Sequence, residues 1–433
     1  ELKAFFTDPY FIKVGHNAGY YDRIVIEQHL GITPTPLIDT ILLHKLARSE
    51  YPHGLGYIAS LETDVPAWKA EHTATTATSD QALWQYCAVD VAATARLPKI
   101  LNKQATIRRQ RHLYELDAKL QNICVGMHRL GMRIDEGRRQ AHATRLEATR
   151  EEWLEAFHAY CPEINPNSPH QIRTLIYDDW GLPPHDFTTS GEPSTNAASI
   201  RFLLGSPLEA DQREVLNALR KYRKANKLLT TYLTKLTPGL GVVDSEGRIY
   251  PDYNSHGTVS GRFSSGIQQV PYLIRDIFVP DPGMIFVGAD YDQLELRFAA
   301  ALAGATHYLD AFEKKEIDPH NLTGDLMFGA DFWAAEGAPE HKIDKGKGAF
   351  KRLRDLSKTI CFLSLYGGRA PKVHELLLQV EDKDGNLMYS KLTLREVRAL
   401  HRKWLRAAPE FEAWWEREIA HWQRYGYVKE PVF

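Results

Sequence analysis

Four residues spaced four apart, Arg354, Lys358, Phe362 and Tyr366, predict a helix with one chemically distinctive side. At about 100° per residue, each step of four falls roughly 40° from the last, so two cations and two aromatic rings share that side. Arg and Lys bind phosphate oxygens, and a ring offers a platform for a sugar and base, so this face suits a nucleoside triphosphate. Tyr366-Gly367-Gly368 then ends the helix. The same spacing also fits a solvated basic face with Phe362 and Tyr366 turned into a core.

Charge supports the first alternative locally but not globally. The chain carries a net charge of only -2, which argues against a protein that simply coats nucleic acid. Between Lys342 and Lys358, however, seven Lys or Arg face two Asp, a local positive patch that the total conceals.

A second constraint is the apolar run Met284-Ile-Phe-Val-Gly-Ala289, which reads as a buried strand delivering Asp290 at its end. A hard cation such as Mg²⁺ takes one or two carboxylates together with substrate phosphates, so Asp290 supplies half of a phosphoryl-transfer site. The alternative is that Asp290 caps the helix after it.

Around these features the chain divides. Its 433 residues exceed one hydrophobic core and suggest two to four domains. Residues 1 to about 105 alternate short apolar runs (Phe11 to Val14, Leu37 to Leu43) with helical patterns, a mixed α/β signature. Leu113 to Leu130 is helical and Leu130 to Asp135 turns into a short strand. Turn formers from Asn165 to Pro193 precede a basic helix from Arg213 to Leu236. Val242 to Tyr250 is strand-like, whereas Asp292 to Leu302 and most of 347 to 425 are helical. No apolar run is long enough to cross a bilayer, and Cys87, Cys124, Cys161 and Cys361 have the spacing of reduced thiols, so a reducing cytoplasm is expected.

Together, Arg354-x-x-x-Lys358-x-x-x-Phe362-x-x-x-Tyr366-Gly367 and Asp290-Tyr-Asp-Gln-Leu-Glu295-Leu-Arg297 resemble the two nucleotide-site motifs of family A DNA polymerases, the group of the bacterial repair polymerase and many phage replicases. Thr258 to Ser265 with Ile267-Gln-Gln-Val-Pro271 resembles the primer-duplex segment, and Asp318-Pro-His320 the phosphate-contacting histidine element. Gly15-His-Asn17 with Tyr21-Asp22, and Tyr86-Cys-Ala-Val-Asp90, resemble two motifs of the 3′ to 5′ proofreading exonuclease that precedes such polymerases.

The resemblance implies an α/β and α+β multidomain fold, an RNase-H-like exonuclease domain followed by a right-hand polymerase. Its segments would be exonuclease at 1–105, palm at 106–143, thumb at 144–239, palm with the Asp290 motif at 240–300, fingers at 301–424, and a returning palm segment at 425–433. It implies that Asp290 and the Tyr291 carbonyl bind two Mg²⁺ ions, for which Mn²⁺ substitutes, and that Lys358, Arg354 and His320 meet the triphosphate. Gln293, Glu295, Phe362 and Tyr366 would complete the nucleotide site, with Glu295 excluding a ribose 2′ hydroxyl. Arg262, Gln268 and Arg297 would contact DNA, the first two in the minor groove, where acceptors are alike in every base pair. Asp22 and Asp90 would hold exonuclease metals while Tyr86 orients a water. The implied partners are primer-template DNA, dNTPs, and a processivity factor or complementary polymerase fragment, in a bacterium, a phage-infected cell or an organelle.

Two departures stand out. No Asp-x-Glu pair precedes Asn17, and no His-Asp hairpin follows the Gly426-Tyr-Val428 region before Phe433. With Glu1 rather than Met at the start, the expectation is truncation at both ends, missing final palm strands included; a naturally split polymerase is the rival. A single-subunit RNA polymerase is the nearest competing enzyme, and Glu295 with the proofreading-like domain argues against it. The Lys342 to Gly348 segment leans toward phage relatives.

Overall fold

The computed structural model describes residues 1–66, 68–69, 79–107, 110–237, 242–329, 348–382 and 386–426. They fall into two compact units, Glu1–Arg145 with Leu228–Phe286, and Leu146–Lys227 with Val287–Phe433.

In the first unit, α1 (Leu2–Thr7), β1 (Lys13–Gly15), α2 (Arg23–Leu30), β2 (Leu37–Asp39), α3 (Thr40–Ala47), α4 (Leu55–Glu62), α5 (Asp80–Ile107) and α6 (Arg111–Leu130) follow in order. β1 and β2 run parallel with Val14 opposite Ile38, the pairing that a helical crossover such as α2 permits. The apolar run from Leu37 to Leu43 is thus half strand and half helix. Asp39 makes the switch: its side chain accepts from Ile41 N and caps α3. The same buried carboxylate accepts from Asn17 N at 2.8 Å, Gly19 N at 2.9 Å and Gln121 Nε2 at 3.1 Å. These bonds hold Asn17 in its left-handed conformation, φ 61°. Leu43, Ala47, Ile58, Leu97 and Leu101 form the core where α3, α4 and α5 meet.

β3 (Met132–Ile134) lies between β4 (Arg248–Ile249) and β7 (Phe278–Val279) in an antiparallel sheet, and β5 (Tyr253–Asn254) pairs with β6 (Ser264–Ser265). The strand expected from Val242 to Tyr250 shrinks to β4 because Asp244 N bonds Arg248 O across a turn at Gly247, φ 76°. Asp244 is thereby committed to closing a turn.

Among its described residues the second unit shows two cores. One joins the end of α7 (Glu136–His158) to α8 (Pro169–Arg173), α9 (Ala197–Leu204) and α10 (Ala210–Lys227) through Phe157, Ile172, Ile200 and Leu216. Glu381 fastens it from outside, with Arg201, Arg220 and Lys224 at 3.4, 2.8 and 2.6 Å. The other core gathers α11 (Leu294–Ala303), α12 (Thr306–Lys314), α13 (Pro319–Phe328), α14 (Gly348–Leu365), α15 (Ala370–Leu377), α16 (Leu394–Ala407) and α17 (Pro409–Tyr425) around Leu296, Tyr308, Ile360, Trp404 and Phe411. Buried Tyr308 accepts from Trp404 Nε1 at 2.8 Å and lies 2.8 Å from Thr323 Oγ1, so its hydroxyl is satisfied without water.

The buried strand expected at Met284 to Ala289 is not there. The segment forms no regular secondary structure and has no ladder partners among the described residues, and Ile285 and Val287 are 80% and 86% exposed. A buried strand needs neighbours for its backbone groups and layers on its faces, and no described residue provides them. Residues 427–433 of the expected returning palm segment and residues 342–347 lie outside the described residues.

Candidate functional site

Helix α14 displays the predicted stripe. Leu356, Ile360, Cys361 and Ser364 are buried on one side, while Lys358 is exposed and Tyr366 is 67% exposed on the other. Tyr366 is therefore not a core residue, and Phe362 is only half-buried. The helix ends at Leu365 as Gly367 takes φ 78°.

Arg354 reaches Asp318, its Nη2 lying 3.0 and 2.9 Å from the two carboxylate oxygens. Asp318 also caps α13, accepting from His320 N at 2.9 Å and Asn321 N at 3.3 Å. One carboxylate thus ties Arg354 of α14 to the helix that carries His320. His320 is 2% exposed, and its ring centroid is 5.5 Å from that of Phe362. Burial pushes it down to about 4; the charge of Asp318 opposes this and those of Arg354 and Lys358 reinforce it. At neutral pH His320 is uncharged, and it would meet a phosphate through a hydrogen bond instead of a positive charge. His320 Nδ1 and Arg354 Nε are buried with no hydrogen-bond partner among the described residues.

Asp290 and Tyr291 are exposed, ahead of α11. The cap of α11 is Gln293, φ 52°, which excludes the capping role for Asp290. Glu295 occupies the first turn. Arg297 donates from Nε to Asp292 O at 2.8 Å, and its guanidinium lies 4.2 Å from the Phe312 ring centroid. Leu296 of α11 and Leu356 and Ile360 of α14 share one core, so the two motifs are brought together. Asp290 and the Tyr291 carbonyl suit one side of a hard-cation site. Among the described residues no three His, Cys, Asp or Glu gather to hold a metal.

Arg262 and Gln268 belong to the first unit. Gln268 turns back on its own chain, accepting from Ser265 N at 3.3 Å and donating to Phe263 O at 3.4 Å. Arg262 is exposed in the loop between β5 and β6.

A cavity of about 1380 Å³ in the first unit is lined by Asn17, Asp22, Lys69 and Asp90, with Trp68 and His16. Burial raises the Asp22 carboxyl, and the charge of Asp39 adds to it. Tyr86 and Asp90 lie on α5. Asp90 Oδ1 accepts from Trp68 Nε1 at 2.8 Å, and Lys69 Nζ stands 3.0 Å from Oδ1, 3.1 Å from Oδ2 and 2.7 Å from the Tyr86 hydroxyl. Burial opposes the Lys69 charge, yet its bonds to Tyr86 and Asp90 outweigh this and raise its pKa. An ammonium therefore fills the cation position at Asp90, and the residues as arranged do not fit the two metals expected there. Spacing carried no signal for Lys69 or Trp68, which reach Asp90 from a loop; Asp318 was legible only as part of the Asp318-Pro-His320 element, not as the partner of Arg354.

A family model described as DNA polymerase family A matches residues 137–431, and one described as 3′-5′ exonuclease matches residues 1–106. Among curated proteins, the thermostable DNA polymerase I of Thermus thermophilus is 29% identical over 326 residues, 73% of this chain and 35% of its own length. DNA polymerase I of Synechocystis is 29% identical over 380 residues, 82% of this chain and again 35% of its own. The match thus spans about a third of these relatives. Among solved structures, the polymerase domain of Pol1 from M. smegmatis, in complex with DNA primer-template and dNTP, aligns with a TM-score of 0.74 at 21% identity, covering 100% of this chain and 69% of that one.

Proposed function

Because this chain belongs to DNA polymerase family A, with a 3′-5′ exonuclease domain ahead of the polymerase region, we propose that its second unit binds a deoxynucleoside triphosphate for template-directed DNA synthesis. The observation that carries this reading is the α14 face, where Arg354 and Lys358 precede Phe362 beside His320.

Arg354 and Lys358 would take the triphosphate charge, and Lys358, exposed on α14, would give a proton to the leaving pyrophosphate. His320 adds a hydrogen bond. Phe362 and Tyr366 flank the sugar and base, Glu295 opposes a 2′ hydroxyl, and Gln293 lies beside it. Arg262, Gln268 and Arg297 take primer-template DNA. Mg²⁺ or Mn²⁺, held by Asp290 and the Tyr291 carbonyl, would supply charge neutralisation at the reacting phosphate. In the first unit, Asp22, Asp90 and Tyr86 are the exonuclease residues. The boundaries 1–105, 106–143, 144–239, 240–300, 301–424 and 425–433 remain our assignment of domains. Bacterial relatives and four free cysteines support a reducing cytoplasm.

A second reading is a subunit completed by another polypeptide, and the exposed apolar run from Met284 to Val287 favours it. Both readings are tested by titrating dATP onto the chain with a primer-template whose next template base is T. Saturable binding lost in Arg354→Ala and Lys358→Ala supports the site, and equal binding by those variants refutes it. Primer extension then separates the readings: extension by the chain alone rules out the need for a second polypeptide.

A further inference from the structure

At Asp90, one of the expected exonuclease carboxylates, the cation position is taken by Lys69 Nζ. Both oxygens of Asp90 face it, at 3.0 and 3.1 Å, and the Tyr86 hydroxyl lies 2.7 Å away. The ammonium is also 4.8 Å from the Tyr86 ring centroid and 5.6 Å from that of Trp68, so two aromatic rings add to its binding. Trp68 Nε1 takes a further lone pair of Asp90. The carboxylate that a divalent cation would use is therefore already charge-matched and hydrogen-bonded.

Lys69 is placed by packing as well as by charge. Its stem crosses α4 at Gly56, where a Cβ would meet Lys69 Cδ, Cγ and Cβ at 3.1, 3.2 and 3.3 Å. A side chain there would push the lysine stem aside by a few tenths of an ångström, so glycine leaves it its present path.

We propose that Lys69 is a built-in cation that closes the Tyr86–Asp90 pair against divalent metal. An ammonium within about 3 Å of both Asp90 oxygens repels a metal ion approaching the same carboxylate, so metal binding at Asp90 strengthens when Lys69 withdraws. Withdrawal also frees the Tyr86 hydroxyl, so the lysine silences both residues together. Asp22 opens onto the same cavity. That cavity exceeds the roughly 300–1,000 Å³ of ordinary small-ligand pockets, and the ring of Trp68 in its wall suits a base. The closed state accordingly accepts the 3′ end of a DNA strand without cutting it. This inference rests on reading the cavity as an exonuclease site.

The test is Mn²⁺ titration of the full chain, followed by the paramagnetic signal of the free ion, in an Asp290→Asn background that removes the other candidate carboxylate. Lys69→Ala is expected to tighten Mn²⁺ binding about tenfold, about 1.4 kcal/mol. Lys69→Arg is expected to keep it weak, and Gly56→Ala, which displaces the lysine stem, to tighten it partially. Equal Mn²⁺ affinity for the parent and Lys69→Ala overturns the proposal, and so does loss of the gain in Lys69→Ala together with full gain in Lys69→Arg. The site reading is tested separately by binding of a single-stranded oligonucleotide in EDTA: if Trp68→Ala leaves that binding unchanged, the cavity is not the DNA site, whatever the metal does.

Discussion

One nitrogen of Arg354 lies within 3.0 Å of both carboxylate oxygens of Asp318, while the same carboxylate caps the helix that carries His320. The cation assigned to the triphosphate is therefore held in place before any ligand arrives. Asp318→Ala should cost about 3–5 kcal/mol, because it leaves a nearly buried guanidinium unpaired and removes a cap. Asp318→Asn keeps the cap acceptor and should cost less. Urea unfolding of the two variants checks the order; equal costs would mean that the ion pair contributes nothing.

Tyr308→Phe should destabilise the second unit by about 1–3 kcal/mol. Its hydroxyl is the acceptor for Trp404 Nε1, and the ring shape is unchanged, so the loss isolates one buried hydrogen-bond network. A melting temperature equal to that of the parent would show that water replaces the hydroxyl.

His320 and His16, each pushed down to about 4 by burial, make stability depend on pH. The unfolded imidazole titrates near 6.5 and the folded one lower, so the unfolded state binds more protons between these values. The stabilisation is full above about pH 6.5 and falls as pH drops toward 4. His320→Gln should flatten part of that fall in unfolding free energy, by up to about 3 kcal/mol. An unchanged slope between pH 7 and 4.5 would contradict it.

Sugar discrimination follows from Glu295 and Phe362 under the proposed function. Glu295→Ala should raise ribonucleotide incorporation or binding relative to deoxynucleotide by on the order of tenfold, and Phe362→Tyr should relax rejection of dideoxynucleotides. Competitive binding of the paired nucleotides measures both; identical ratios would sink the assignments.

The sequence revealed what depends on local periodicity and missed what depends on distant loops. Arg354, Lys358, Phe362 and Tyr366 were legible because four-residue spacing is a property of the helix itself. Gly367 announced the helix end in the same way. The segment Met284 to Ala289 misled because apolar composition records a preference for burial, whereas burial itself requires neighbours elsewhere in the chain. Lys69 was invisible because it approaches Asp90 across 21 residues with no repeat to betray it. Asp39 was hidden for a similar reason, since its partners at Asn17 and Gln121 lie far on either side in sequence.

The bare stretch from Met284 to Val287 has a further consequence for the chain in solution. An exposed apolar stretch outside any strand ladder is a surface onto which the same stretch of another molecule can pack. The chain should therefore associate as its concentration rises, and Val287→Lys should suppress this by placing a repelling charge on each copy. Light scattering across a dilution series would register the difference, and an association indifferent to Val287→Lys would locate the sticky surface elsewhere.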